Sequence, residues 1–348
     1  MASLADCSVD VYSQAGDVGA ALIDYNYTRN VVFGEYICTP FKWEYLVNLV
    51  SVMLWLVIAR WLYDAYVRAR RGGAATPFKL AEELTKRDNP ALAIDFASFL
   101  FAICLITRGS LLDLQPAINN ERYFGAFFTY QAVGCVVLLA SRFLNDKLML
   151  RKADNLKAII EERSVAVGCV EAGATISTAI IFAAAAGGQS VNFGEGVAAT
   201  LLYWVIGQAL LLLYGNGVDV ITSLPALSPY SGAFVDPSAG QAPTKTGTSL
   251  LKEAAGGNVA AGLSVGFDMV HASILIAAPV YVGYSLLAWV IFLACALLVV
   301  SPLMHLYIDY IVLRGAGYTV NVLRHKNWGA AVLLGLLKLL TALVLMSR

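Results

Sequence analysis

Long apolar runs separated by short polar stretches dominate the chain. Eight runs of roughly 20 residues are each long enough for a helix to cross a ~30 Å hydrocarbon core at ~1.5 Å per residue. They cover approximately residues 43–62, 90–109, 123–144, 164–187, 194–214, 258–278, 284–308 and 327–346. The pattern predicts an all-α integral membrane protein of about eight transmembrane helices (43–348), preceded by a polar N-terminal segment over residues 1–42.

Basic residues are concentrated on alternate connections between these runs. Residues 60–88 hold seven Lys and Arg and residues 142–163 hold six, and the later connections on that side, 219–257 and 314–326, hold two and three. The opposite side has Arg29, Lys42, Arg108 and Arg122. Because positive charge stays on the side from which a chain inserts, the basic side is predicted to be cytoplasmic or its organellar equivalent. Both termini of this multi-pass protein are then expected on the non-cytoplasmic side of a membrane that the sequence does not identify.

The polar stretches recur in a way that predicts four like-oriented helical-hairpin repeats. The repeats cover about residues 43–110, 122–188, 194–280 and 284–347. The second helix of each hairpin, which we call the ascending helix, begins at an anchor residue. The four anchors are Asn89, Ser164, Asn258 and Asn327. Like-oriented repeats favour an arrangement around an axis normal to the membrane over an inverted-repeat transporter.

Polar residues also lie at the membrane edge, where the first helix of each hairpin, the descending helix, ends. They are Arg60, Asp64, Arg142, Asp146, Asp219, His305 and Asp309. Arg60 with Asp64, and Arg142 with Asp146, have i,i+4 spacing and are expected to form local ion pairs. The amphipathic stretches that follow, PFKLAEELTKRDN and LRKADNLKAIIEERS, are predicted to be helices lying flat at the headgroup level, where the membrane surface buries their apolar faces.

The repeated pattern resembles a known family. The stretches RKADNLKAIIEERSVAVGCVEAGATISTAIIF and LLKEAAGGNVAAGLSVGF resemble the YjfL-like bacterial inner-membrane proteins, a domain-of-unknown-function family. The first hairpin departs from the pattern by placing Pro90 after Asn89, and the second by using Ser164 in place of Asn. The resemblance implies a fold and carries no established activity.

Each ascending helix carries one charged residue well inside its apolar run, where charge is costly and marks a candidate functional position. Counted from its anchor, Asp95 is at position 6, Glu171 at 7, Asp268 at 10 and Lys338 at 11. At ~100° per residue these offsets fall within an arc of about 140°, so we expect all four side chains to face the interior and a shared axis. Asp268 and Lys338 lie at matching depth, about 15 Å along their helices, which predicts an ion pair.

Two interpretations of this charged stripe stay open. In the first, three acids and one lysine form a polar path for protons or small cations, with His271 one turn beyond Asp268 as a further candidate. In the second, the lysine neutralises one acid in a structural pair, or the acids are protonated and hydrogen-bonded to neighbours. A hydrated common axis would favour the first interpretation, and dry, paired charges the second.

Composition limits the remaining possibilities. The chain is 59% hydrophobic and 14% charged, against about 25% charged residues in soluble domains, so a lipid bilayer is its expected surrounding. Lys+Arg and Asp+Glu balance at 24 each, which gives no sign of a nucleic-acid partner. Scattered cysteines, three histidines and no catalytic motif predict no metal, no cofactor and no enzyme. Cys7 and Cys38 flank the N-terminal segment and are candidates for a disulfide in an oxidising compartment.

The favoured function is therefore a small-cation or proton channel or transporter. The alternative is a non-catalytic structural or assembly subunit of a larger membrane complex, in contact with other membrane subunits or with further copies of itself.

Overall fold

A computed structural model describes most of the hydrophobic part of the chain. The described residues are 43–71, 78–114, 121–149, 154–187, 193–223, 249–282, 286–295, 321–322 and 325–346, with the single residues 303, 307 and 311. The candidate disulfide cysteines Cys7 and Cys38 lie outside them, as do the side chains of Asp219, His305 and Asp309.

All regular structure in these ranges is helical. The helices are α1 (Trp43–Arg71), α2 (Leu80–Thr85), α3 (Pro90–Leu114), α4 (Glu121–Leu148), α5 (Asn155–Ile160), α6 (Val165–Ala186), α7 (Phe193–Ser223), α8 (Leu250–Ala255), α9 (Val259–Val282), α10 (Leu286–Cys295) and α11 (Trp328–Met346). Six of them, α1, α3, α4, α6, α7 and α9, are long and apolar enough to cross a membrane. The prediction of an all-α, multi-pass membrane fold is confirmed at this level. The other two predicted spans were the runs 327–346 and 284–308. The first contains α11, which is apolar but shorter than the six, and the second contains α10.

The four ascending helices form the centre of the molecule. They pack in chain order, α3 on α6, α6 on α9 and α9 on α11. Small residues bring the backbones together: a Cβ added to Gly173 of α6 would lie 2.4 Å from the Cα of Gly266 of α9. A Cβ added to Gly262 of α9 would likewise lie 2.3 Å from the carbonyl oxygen of Ala166. Close approach through small residues is how membrane helices gain packing contacts, because lipid gives them no hydrophobic drive to associate.

The outer helices α1 and α7 and the free side of α11 present apolar side chains away from this centre. The exposed large apolar side chains there are Leu49, Val50, Met53, Leu54, Val57, Trp61, Phe193, Leu202, Tyr203, Val205, Leu213, Trp328, Leu333, Leu336, Leu340, Leu343 and Val344. In water such a surface would cause aggregation, whereas in a bilayer it is the expected lipid-facing surface.

Each anchor residue caps the start of its ascending helix in the same way. The side-chain oxygen of the anchor accepts a hydrogen bond from the backbone N–H three residues later, at Leu92, Val167, Ala261 and Ala330. Asn and Ser are favoured at this position because their short side chains satisfy an N–H that has no partner within the helix. The anchors predicted from the repeated pattern are thus N-cap residues.

A left-handed residue precedes every anchor. Asp88, Arg163, Gly257 and Lys326 have φ values of 46°, 52°, 88° and 50°. Positive φ is uncommon for residues other than glycine, and here it turns the chain from each amphipathic stretch into the ascending helix. The side chains gave no sign of this turn, since three of the four residues are not glycine.

The two amphipathic stretches contain the short helices α2 and α5, as predicted, and α8 is a third short helix before α9. Protein rather than the membrane surface buries the apolar face of α5. Leu156, Ile159 and Ile160 of α5 are 6%, 1% and 5% exposed with no lipid present. An ion pair of 3.6 Å joins Arg71 at the end of α1 to Glu161 just after α5, so both connections lie on one side of the molecule. Because Gly262 lies level with Ala166, α8 is on that side too. We call it the amphipathic side.

Candidate functional site

A buried ion pair joins the first and second hairpins. Arg142 Nη2 donates to Asp95 Oδ2 at 2.6 Å, and Tyr63 Oη donates to the same oxygen at 2.6 Å. The Arg142 and Asp95 side chains are only 4% and 0% exposed, and the guanidinium lies over the Tyr63 ring at 5.2 Å. A charge-assisted hydrogen bond and a cation–π contact together compensate part of the cost of burying this arginine.

Two acids meet beside this ion pair. Asn155 Nδ2 donates to Asp146 Oδ1 at 2.9 Å and also makes a short contact with Glu171 Oε1. The same amide nitrogen therefore holds both carboxyl groups. Two carboxyl groups that share a site repel each other when both are ionised, which favours protonation of one of them.

Asp146 and Glu171 differ in their surroundings. Asp146 faces the amphipathic side, where Arg70 Nη2 lies 3.0 Å from its Oδ2 and Tyr66 Oη donates to that oxygen at 3.3 Å. Glu171 is 2% exposed and, among the described residues, has no ion-pair partner. Its Oε2 has no hydrogen-bond partner there either, and neither has the Thr175 hydroxyl one turn further along α6. We call Tyr63, Asp95, Arg142, Asp146, Asn155 and Glu171 the N-terminal cluster.

Polar side chains continue from this cluster into the membrane. Gln208 Nε2 donates to Asn145 Oδ1 at 2.9 Å, and the Thr178 hydroxyl donates to Gln208 Oε1 at 3.0 Å. Trp204 Nε1 donates to the Ser141 hydroxyl at 3.2 Å. All five residues lie on the mutually facing sides of α4, α6 and α7, so buried polar groups extend beyond the acids toward the opposite membrane face.

A second group of charges lies between the third and fourth hairpins. Lys338 Nζ contacts Asp268 Oδ1 directly, as the matching depths predicted. His271 Nδ1 lies 2.9 Å from the backbone carbonyl oxygen of Lys338. We call Asp268, His271 and Lys338 the C-terminal cluster.

The four charges of the predicted stripe are all buried, but their contacts divide into two clusters instead of surrounding one axis. Among the described helices, α3 and α11 make no extensive contact, so the row of ascending helices does not close into a ring. Each of the four residues lies on the inward face of its own helix, as its distance from the anchor predicts. The shared axis depended also on how the helices are arranged, which that distance does not determine.

Both predicted membrane-edge pairs are wrong. Asp64 pairs with Arg68, one turn further along α1, and not with Arg60. Arg142 points inward to Asp95, while Asp146 pairs with Arg70. The neighbouring hairpin offers Arg142 a buried carboxylate, which is a stronger partner than an acid at the membrane edge.

Sequence reasoning missed Tyr63, Asn155 and the role of Arg142 as an intramembrane residue. A signal for Arg142 existed, since the run 123–144 includes it. Asn155 follows Asp154, whose side chain caps α5, but nothing in the sequence says that its amide reaches two acids on other helices. Within the described ranges, no three His, Cys, Asp or Glu side chains are grouped so that they could hold a metal ion.

Part of the chain matches a known family. Residues 36–186 match the model of the family described as Domain of Unknown Function (DUF350), in accord with the resemblance seen in the sequence. No curated protein and no solved structure matches the chain. The matched residues include α1 to α6 and with them the whole N-terminal cluster.

Proposed function

We propose that this chain, a member of the DUF350 family through residues 36–186, is a membrane protein that carries protons, with Glu171 as the acid that takes up and releases them. The observation that carries the proposal is the position of Glu171. It is buried, it shares the Asn155 amide with a second carboxyl group, and among the described residues it lacks a basic partner of its own. A buried acid of this kind takes up a proton more readily than one held in an ion pair.

The surroundings of Glu171 favour a proton over a metal cation. Its observed contact is the Asn155 amide, which also holds a second acid, and the described residues contain no group of three His, Cys, Asp or Glu side chains that could hold a metal ion. When Glu171 releases its proton, the O–H bond breaks and the negative charge stays on the carboxylate. Arg142, one helical turn before Asp146 on α4, remains bonded to Asp95. The polar side chains between α4, α6 and α7 supply groups through which water and protons can pass.

The proposed architecture has eight spans in four like-oriented hairpins. The same cap at all four anchors and the same left-handed residue before them support it. Helix register supports it as well. Gly168 of α6 meets Ala91 of α3, and Gly262 of α9 meets Ala166 of α6, so the fourth residue after one anchor packs on the second residue after the preceding anchor in both cases.

Proton flux into vesicles tests the function. Full-length protein would be reconstituted into liposomes that contain a pH-sensitive dye, and flux would be driven by a pH gradient. We expect Glu171→Gln to lower the flux on the order of 100-fold, because the amide keeps the shape but cannot carry the proton. The matched control is Asp64→Asn, since Asp64 lies at the membrane edge in a pair with Arg68, and its flux should equal that of the wild type. Unchanged flux in Glu171→Gln, or wild-type flux no higher than in empty liposomes, would refute the proposal.

The basic, amphipathic side is proposed to face the cytoplasm, with both termini on the other side. We expect single cysteines at the exposed positions Lys86 and Glu162 to react with a membrane-impermeant maleimide only when it is added on the cytoplasmic side. The wild type, labelled under the same conditions, measures the reaction of the native cysteines. Labelling of both positions only from the side of an N-terminal tag would invert the topology.

A structural or assembly role is the second candidate, with other membrane subunits or further copies of this chain as the partners. The observation that favours it is the pairing of Asp95 with Arg142 and of Asp268 with Lys338, since paired buried charges fix helix neighbours without carrying anything. Absence of flux in the vesicle experiment, together with a stable folded protein, would favour this role.

A further inference from the structure

The Asp268–Lys338 pair lies deeper than the N-terminal cluster and is unequally covered. The Asp268 side chain keeps 6% of its surface exposed, whereas Lys338 keeps 0%. Part of the Asp268 side chain is therefore accessible, whereas the Lys338 side chain is not. The two side chains form one ion pair, but only Asp268 keeps accessible surface.

A small pocket adjoins Asp268. It is lined by Tyr214, Gly215, Leu250, Leu251, Val265, Asp268 and Met269. Its volume is about 10 Å³, about the space that one water molecule needs. Leu250 and Leu251 are the first two residues of α8, so the pocket begins at the amphipathic side and ends at the carboxyl group.

In the second hairpin, a polar side chain occupies the space between the short amphipathic helix and the buried acid. Asn155 is the first residue of α5, as Leu250 is of α8, and its amide closes directly onto Glu171. In the third hairpin two leucines take this position, and they cannot bond the acid beneath them. The short amphipathic helix therefore covers a buried acid in both hairpins, with a polar contact in one and an apolar cover over a water-sized pocket in the other.

We infer that Asp268 is a second proton-binding site, which exchanges protons with the amphipathic side through this pocket. In the binding step a water molecule or hydronium ion gives a proton to Asp268, a new O–H bond forms, and the pair changes from neutral to a net charge of +1. Lys338 keeps its own proton and loses the carboxylate as a charged partner. The size of the pocket restricts the site to protons, since a hydrated metal cation is too large to pass Leu250 and Leu251.

The other titratable groups around Asp268 come from four helices. They are Lys338 of α11, Tyr214 of α7, His271 on α9 itself and Cys169 on the face of α6 that packs against α9. Of these only Lys338 and Asp268 form an ion pair, and His271 contacts the backbone of Lys338. Protonation of Asp268 therefore changes the balance of charge chiefly for Lys338.

Infrared difference spectroscopy on the full-length protein in lipid tests the inference without measuring flux. On acidification, the wild type should develop the C=O stretch of a protonated carboxyl group, and Asp268→Asn should lose that band. Glu171→Gln should keep it, which separates this site from the proposed function. Asp268→Glu guards against a folding defect, because it should keep the band at a shifted frequency. The same spectrum in the wild type and in Asp268→Asn would overturn the inference.

Access through the pocket has its own control. Leu251→Phe fills the pocket and should slow hydrogen–deuterium exchange of the Asp268 band. Leu156→Phe makes the same change at the second residue of α5, which does not line this pocket, and should leave the exchange rate of that band unchanged. Equal exchange rates in Leu251→Phe and the wild type would show that protons reach Asp268 by another route and would overturn the proposed access.

Discussion

Replacing Arg142 by Met is expected to lower the free energy of unfolding by roughly 3–5 kcal/mol. The substitution keeps most of the volume but removes the guanidinium that neutralises Asp95. Asp95 would then remain fully buried with Tyr63 as its hydrogen-bond partner, and an uncompensated buried carboxylate is costly. Unfolding of the purified protein in detergent, followed by circular dichroism across a denaturant series, measures the change.

Two controls make this result specific to the buried pair. Arg68→Met removes the arginine of an ion pair with Asp64 in which the two side chains are 60% and 21% exposed, and it should cost less than about 1 kcal/mol. The double variant Arg142→Met/Asp95→Asn removes both charges and should recover much of the loss, since the unpaired charge is the main cost. A loss for Arg142→Met as small as that for Arg68→Met would contradict the prediction.

The second large effect is expected at the contact between the two central helices. Gly173→Leu places a side chain where even a Cβ would lie 2.4 Å from the Cα of Gly266. The neighbouring atom is backbone, so α6 and α9 must move apart, and overpacking of this kind costs about 1–3 kcal/mol or more. We expect a lower midpoint of thermal unfolding and a poor yield of monodisperse protein on size-exclusion chromatography.

Gly125→Leu is the matched control for this substitution. Gly125 is also in a helix, and a Cβ added there meets no atom within 4 Å. Its unfolding midpoint should stay within the spread of repeat measurements on the wild type. If Gly173→Leu behaves like Gly125→Leu, the close approach of α6 and α9 does not exist in the folded protein.

The features that could be predicted from the sequence depend on one helix at a time. Apolar length predicts a membrane helix, a small polar residue predicts an N-cap, and the offset from that cap predicts which side chains face inward. Depth along the helix was enough to pair Lys338 with Asp268, because both charges had to avoid lipid and lay at the same level.

The features that could not be predicted depend on which helices are neighbours. Arg142 has an acid four residues away on its own helix, yet it bonds Asp95 on another, because packing brings α3 and α4 together. Asn155 reaches Asp146 and Glu171 only because α5 folds back under α6. Neither the position of a residue along its helix nor a count of charges shows which helices are neighbours. For the same reason, the four charges predicted to face one axis lie in two clusters.

The anchor residues also set an order in which the chain can be assembled. Beyond capping its own helix, the Asn89 amide donates to the carbonyl oxygen of Ile159, and the Asn258 amide donates to that of Val322. Both acceptors lie five residues before the next anchor, so the bond ties hairpin one to hairpin two, and hairpin three to hairpin four. Every partner of Asp95 and Arg142 is thus synthesised before the third hairpin begins. A growing chain completes domains from its N-terminal end, and here the first two hairpins can bury their charges while the ribosome is still translating the rest.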